Sequence, residues 1–99
     1  MKIDDIRRSY TKDKLDADNL AADPIVQFEQ WLKDAIAAEL PDPTAMCVAT
    51  VDASGQPSQR LVLLKDVNSS GFTFYTNLGS RKASELAVNP KVSLHFPWH

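Results

Sequence analysis

Apolar side chains at helical spacing mark the first regular element of the chain. The series consists of five large residues separated by three or four positions: Ile25, Phe28, Leu32, Ile36 and Leu40. Such spacing is the stripe of an amphipathic helix that covers a sheet or a partner. Asp23-Pro24 provides an N-cap acid and a proline at the first helical position. Pro41 then ends the predicted helix.

Three short strands are predicted next. Residues 44–51 contain few polar side chains, so we expect a strand that is buried on both faces. Further strands are predicted at 58–65 and 71–76, with polar turns at 52–55 and 66–71 between the three. Connections this short join antiparallel neighbours, so the pattern predicts a meander.

A second helix and a fourth strand complete the pattern. Ser80 is a fair N-cap for a helix at 81–88, on which Ala83, Leu86 and Ala87 are expected to face inward. The fourth strand is predicted at 91–96, where side chains alternate. One face of this strand would carry Val92, Leu94 and Phe96, and the other would carry Ser93 and His95.

The first 22 residues lack a usable apolar period. We interpret 1–22 as a mobile N-terminal arm and 23–99 as the folded unit. Arg7, Arg8 and Tyr10 would be solvated if the arm has no ligand.

Composition narrows the class of protein. The chain has 99 residues and a net charge of −2, which argues against general nucleic-acid binding. No apolar run reaches the ~20 residues that span a bilayer, so no membrane segment is expected. The polar N-terminus is unlike a signal peptide, and a cytoplasmic protein is the default expectation. Cys47, the single cysteine, is expected to be buried and unreactive.

Two cations open the predicted second helix. Arg81 and Lys82 lie where the helix dipole disfavours positive charge by roughly 0.3–1 kcal/mol each, unless an anion is present. A helix N-terminus attracts phosphate groups, so this pair suggests an anion site. The alternative is two solvated cations on an exposed helix.

Further candidate residues flank the strands. Arg60 and Lys65 bracket the second strand, but their separation of five places them on opposite faces. They can serve one pocket only at a bulge, an edge or a subunit boundary; otherwise each merely marks a strand end near water. Tyr75 would be either core or ligand-binding, and the Thr76 hydroxyl could bind a phosphate oxygen. His95 and His99 make no recognisable metal-ligand set with Cys47.

Four sequence segments resemble the pyridoxine/pyridoxamine 5'-phosphate oxidase family. They are RRSY at 7–10, DPTAMCVATVDASGQPSQRLVLLK at 42–65, FYTNLGSRKA at 74–83 and NPKVSLHFPWH at 89–99. The resemblance implies half of an antiparallel, Greek-key, FMN-binding split β-barrel, an α+β and mainly β fold with an N-terminal amphipathic helix and a short second helix. It implies a homodimer with FMN at the subunit boundary. It also implies oxidation of pyridoxine or pyridoxamine 5'-phosphate to pyridoxal 5'-phosphate, with O2 as acceptor.

The same resemblance assigns site residues. For FMN it implies Arg60, Leu61, Val62, Leu63, Leu64, Lys65, Tyr75, Thr76, Arg81 and Lys82. For the phosphorylated substrate it implies Arg7, Arg8, Ser9, Tyr10 and again Lys65. Ser9 and Ser58 depart from the family pattern, which often has an acid and an aromatic residue there. Family enzymes are about twice as long, so we expect an N-terminal half that binds flavin weakly and turns over little. A non-catalytic, dimerising binding module and a purely structural remnant are the alternatives.

Overall fold

A computed structural model describes residues 1–6, 15–76 and 81–98, with Arg81 and Lys82 described by their backbone. The elements, in chain order, are a 3₁₀ helix at Ala17–Asn19, α1 at Pro24–Ala37, β1 at Ala45–Val51, β2 at Pro57–Leu63, β3 at Asp66–Asn68, β4 at Gly71–Thr73, α2 at Arg81–Val88 and β5 at Ser93–His95. The two helices and the antiparallel strand pairs confirm a mixed α+β fold.

Helix α1 begins and ends with capping interactions. The Asp23 side chain accepts a hydrogen bond from the Ile25 N–H at 2.8 Å, which confirms the predicted N-cap. At the other end Glu39 adopts a left-handed backbone conformation with φ 56°. The Leu40 N–H then bonds to the Ala35 carbonyl at 3.1 Å, which closes a Schellman motif. The helix therefore ends before Pro41, as predicted, and Leu40 lies outside it.

The apolar stripe of α1 is only partly buried. Phe28 and Leu32 pack against the core, and Ala35 is buried. Ile36, however, is 54% exposed, so its predicted place in the covered stripe is wrong within this chain. Helix α1 packs on β3. A three-residue strand spans about 10 Å, whereas 14 helical residues span about 21 Å. The last turn of α1, which carries Ile36, therefore extends beyond the strand that it packs on.

Strand β1 is the centre of a three-stranded antiparallel sheet with the order β2-β1-β5. Met46, Val48 and Thr50 are fully buried on one face, which we call the inner face. Residues between them, including Cys47 and Ala49, are half-buried on the outer face. The prediction that β1 is buried on both faces is therefore wrong for this chain, because only the inner face is covered. The expectation of a buried Cys47 fails for the same reason.

The predicted meander does not form. Strand β4 pairs with β3, a segment that the sequence pattern assigned to a turn, and the two make a separate hairpin. The Asn68 side chain accepts from the Ser70 N–H at 2.8 Å and tightens the connection. Gly71 follows with φ 129°, a conformation natural to glycine. The polar turn is therefore shorter than predicted, and its first half forms a strand.

Strand β5 pairs with β1 on the side opposite β2, with Leu94 beside Val48. Leu94 and Phe96 pack against the core, while Ser93 and His95 are exposed. The alternation predicted for this strand is therefore confirmed at those four positions. Val92 precedes the strand and is 44% exposed, so its predicted inward position is wrong.

Aromatic rings connect α1, the hairpin and the C-terminal segment. The ring of Phe28 lies 4.8 Å from both Phe72 and Phe96, edge-on to the first. Such pairs stabilise by about 0.5–1.5 kcal/mol beyond area burial. The Trp98 indole joins the group and donates its N–H to the Pro43 carbonyl at 2.8 Å. This cluster completes the core formed by Met46, Val48 and Leu64.

The segment before α1 is tied to the helix by one side chain. Gln27, which is buried, accepts a hydrogen bond from the Ala21 N–H at 2.6 Å. Residues 7–14 lie outside the described residues, and the division between an arm at 1–22 and a folded unit at 23–99 stays a prediction. In the part of the chain that is described, no helix has the length and apolar character needed to cross a membrane.

Candidate functional site

Arg60 points to the inner face of β2, opposite buried Val48 in the β1–β2 ladder. One guanidinium nitrogen, Nη2, donates to the Ser58 hydroxyl at 3.3 Å. The Nε atom is buried and has no hydrogen-bond partner among the described residues. A buried donor without an acceptor costs about 1–3 kcal/mol. Arg60 is therefore suited to an acceptor supplied from outside the described residues.

A buried carboxylate lies next to this cation. Glu85 of α2 is only 4% exposed. It accepts a hydrogen bond from the Thr50 hydroxyl of β1, and from the Ser58 hydroxyl of β2 at 2.8 and 3.0 Å to its two oxygens. We call Thr50, Ser58, Arg60 and Glu85 the polar cluster. It joins α2, β1 and β2 beneath the inner face of the sheet.

The sequence pattern missed Glu85. It assigned Ala83, Leu86 and Ala87 to the inner side of α2, but Ala87 is exposed while Glu85 is buried. Isolated charged side chains are seldom buried, so the helix pattern assigned alanine rather than Glu85 to the buried side of α2. A signal was nevertheless present, because Thr50 and Ser58 are direct neighbours in the ladder at inward positions. Two hydroxyls facing the core need a polar partner.

The remaining strand residues assigned to FMN divide between two faces. Val62 and Leu64 face inward and pack in the core. Leu61 and Leu63 face outward and are 76% and 49% exposed. Lys65, two residues past the end of β2, is also exposed.

The chain leaves the three-stranded sheet next to Lys65. The Leu64 N–H bonds to the Thr44 carbonyl at 2.9 Å beside β1, whereas the Lys65 N–H bonds to the Thr73 carbonyl at 2.8 Å in the hairpin. Tyr75, which follows this hairpin, is 75% exposed, so the core alternative for its ring is wrong. Thr76 is exposed as well.

Several predicted site residues lie outside the described residues. They are Arg7, Arg8, Ser9 and Tyr10 of the N-terminal segment, together with the side chains of Arg81 and Lys82. The backbone of α2 does begin at Arg81, which confirms that the two cations occupy its first turn. Among the described residues, no group of three His, Cys, Asp or Glu side chains is arranged to hold a metal ion.

Two features of this region suit an anion. The buried Nε of Arg60 requires an acceptor, and α2 begins one turn before the Glu85 carboxylate that contacts Ser58. A helix N-terminus carries unpaired N–H groups and partial positive charge. The arrangement fits a ligand with a phosphate and a polar edge.

Comparisons with known proteins identify the lineage. The sequence profile of the family described as pyridoxamine 5'-phosphate oxidase matches residues 32–98. A pyridoxine/pyridoxamine 5'-phosphate oxidase of Alteromonas mediterranea is 65% identical over 99% of this chain and 46% of its own length. One of Pseudoalteromonas translucida is 64% identical over all of this chain and 47% of its own length. The chain therefore spans about half the length of these relatives.

Two solved structures share the fold. PhzG from Burkholderia lata, in complex with tetrahydrophenazine-1-carboxylic acid, superposes with a TM-score of 0.81 at 30% identity, over 87% of this chain and 44% of that one. A pyridoxamine 5'-phosphate oxidase-related, FMN-binding protein from Nostoc punctiforme gives 0.64 at 18% identity, over 80% and 41%. The second likeness shows the fold alone. Profile, relatives and fold agree, and the chain belongs to the pyridoxamine 5'-phosphate oxidase family.

Proposed function

We propose that this chain is the N-terminal half of an FMN-dependent oxidase that converts pyridoxine or pyridoxamine 5'-phosphate to pyridoxal 5'-phosphate, with O2 as acceptor. Family membership and the names of the relatives support the reaction. The observation that carries the proposal within the chain is the buried Arg60 Nε without an acceptor. FMN carries acceptor atoms on both its phosphate and its ring.

Arg60 of the polar cluster and the first turn of α2 suit FMN. That turn has unpaired backbone N–H groups and two cationic residues in its sequence, a combination that suits a phosphate. Arg60 would donate from its Nε to a flavin oxygen or nitrogen. Tyr75 and Thr76 are exposed, and in this proposal both contact FMN.

The whole set proposed for FMN is Arg60, Leu61, Val62, Leu63, Leu64, Lys65, Tyr75, Thr76, Arg81 and Lys82. For the substrate the set is Arg7, Arg8, Ser9, Tyr10 and Lys65. When bound, FMN would supply the redox chemistry, which is hydride acceptance from the substrate and reoxidation by O2 with release of hydrogen peroxide. The protein residues bind, orient and neutralise the phosphates. In this proposal the Lys65 ammonium lies near the substrate phosphate, and residues 7–10 cover the bound substrate.

The division of these residues between two faces supports a homodimer. Arg60 lies inward, whereas Leu61 and Leu63 lie outward. One pocket within a single chain cannot use side chains from both faces of a strand. A site at a subunit boundary can, and the exposed leucines of the outer face would then be covered by the second copy.

A non-catalytic flavin-binding module is the second candidate. The observation in its favour is coverage, because the chain spans only 46–47% of the relatives' lengths. In this case the polar cluster and α2 would hold FMN or another phosphorylated ligand without turnover.

Flavin titration followed by an oxidase assay tests the proposal. The purified chain is titrated with FMN while flavin fluorescence is recorded, and pyridoxamine 5'-phosphate is then added under air for a peroxide assay. We expect weak saturable FMN binding and little peroxide. Binding with no peroxide supports the module. No saturable binding rejects both readings and leaves a structural remnant, and robust turnover would contradict the expectation of an incomplete site.

A further inference from the structure

We infer that Glu85 is a positioning residue of the flavin site. Its carboxylate docks α2 on β1 and β2, and through Ser58 it orients the guanidinium of Arg60. The inference rests on the proposed function only for the identity of the ligand. The docking contacts themselves are within the described residues.

The direction of each hydrogen bond follows from the donors available. A guanidinium has N–H donors and no acceptor, so the Ser58 oxygen accepts from Arg60. The single hydroxyl proton of Ser58 is then available for Glu85, as is that of Thr50. Both hydroxyls donate to the carboxylate, which is an acceptor when ionised. The cluster is thus a directed chain from Arg60 through Ser58 to Glu85.

The helix geometry carries this docking to the proposed phosphate site. Glu85 lies four residues after Arg81, the first residue of α2. Four residues correspond to about 6 Å along the axis, and residues at this spacing lie on the same side of a helix. Because α2 packs against β1, the Glu85 contacts fix both the rotation of α2 and the distance of its first turn from the sheet.

A purely structural role for Glu85 predicts a different result from a positioning role. If Glu85 only stabilises the fold, its loss weakens all flavin binding equally. If it positions the start of α2 and Arg60, its loss weakens the binding of FMN more than that of riboflavin, which lacks the phosphate. The ratio of the two affinities is therefore the diagnostic quantity, and amide hydrogen exchange of α2 measures docking without any ligand.

The experiment compares Glu85→Ala and Glu85→Gln, with Ser84→Ala as the matched control on the exposed side of the same helix. For Glu85→Ala we expect faster exchange throughout α2 with α1 unchanged, and an FMN affinity lowered about tenfold, the loss expected for one charge-assisted hydrogen bond. Riboflavin affinity should change about twofold or less on the same scale. Glu85→Gln should restore docking, because its amide oxygen can accept from both hydroxyls.

Ser58→Ala separates the docking of α2 from the orientation of Arg60. This variant also tests the inference if Glu85→Ala does not fold. It keeps the Thr50–Glu85 contact and removes the link to Arg60. We expect α2 exchange close to that of the native chain and lower affinities for FMN and riboflavin alike, because Arg60 would donate to an atom that both flavins carry.

Four outcomes would overturn the inference. Unchanged α2 exchange in Glu85→Ala rejects docking, and equal losses for FMN and riboflavin reject positioning. Unchanged affinities for both flavins in Ser58→Ala reject the orientation of Arg60. If the native chain binds neither flavin, the proposed function and the positioning role both fail, while the exchange result still decides docking.

Discussion

At the scale of single residues, the candidate site contains a cation and a carboxylate that share one hydroxyl, that of Ser58. Arg60 is a candidate from the sequence, because a cation stands out beside the apolar run that follows it. Glu85 is not, because a charged residue on a short helix is ordinarily solvated. Its burial depends on Thr50 and Ser58 meeting across β1 and β2. The pairing of these two residues follows from the register of β1 and β2, and the apolar period of a helix gives no information about that register.

Arg60→Ala should weaken FMN binding. The variant loses a donor whose Nε is buried and lacks a protein acceptor. One hydrogen bond to a charged group contributes about 1.5–3 kcal/mol, so the dissociation constant should rise roughly tenfold to a hundredfold. Fluorescence titration measures it. Lys33→Ala removes an equal charge from the exposed side of α1 and should leave the constant unchanged. Equal effects of the two variants would show that only net charge matters.

At the scale of elements, long periodic patterns were predicted well and short ones poorly. The 14 residues of α1 and the seven of β1 have enough apolar positions to define a period. The three-residue strands β3 and β4 do not. Asp66, Asn68 and Ser70 are typical turn residues, so propensity assigned the whole segment to a turn. Pairing with β4 and packing beneath α1 make its first half a strand.

Glu39→Gly should stabilise the end of α1. Glu39 holds φ 56°, where a side chain is strained and glycine is not. We expect a gain of roughly 1 kcal/mol in the free energy of unfolding, measured by urea denaturation. The matched control is Ala38→Gly, one residue earlier, where φ is −78°. Glycine has no advantage there and should cost about 0.5–1 kcal/mol. Similar losses for both variants would contradict the Schellman assignment.

At the scale of the whole molecule, the two sheet faces have different environments. The inner face holds the core and the polar cluster, whereas the outer face leaves Leu61 and Leu63 in solvent. The sequence pattern of β1 predicted two covered faces, since few of its side chains are polar. That mismatch is physically informative, because an apolar face uncovered in one chain suits contact with another. The alternation of side chains along the second strand allowed a site at a bulge, an edge or a subunit boundary. The family resemblance implied the subunit boundary.

Leu61→Asp should disrupt self-association. Full burial of a leucine side chain contributes about 1.5–3 kcal/mol, and a carboxylate in its place would be desolvated. We expect a concentration-dependent dimer for the native chain and a monomer for the variant, measured by analytical ultracentrifugation without flavin. Leu15→Asp is a control with almost the same exposure, 74% against 76%, but outside the sheet. A native chain that is monomeric at all concentrations would argue against the outer-face dimer.

The most direct measurement compares the affinities for FMN and riboflavin in the native chain and in the double variant Arg81→Ala/Lys82→Ala. The central claim is that a flavin phosphate binds at the start of α2. It predicts that the native chain prefers FMN and that the double variant loses this preference, while Lys33→Ala/Lys91→Ala, which removes the same charge from exposed positions elsewhere, retains it. An FMN preference that survives the loss of Arg81 and Lys82 would contradict the claim.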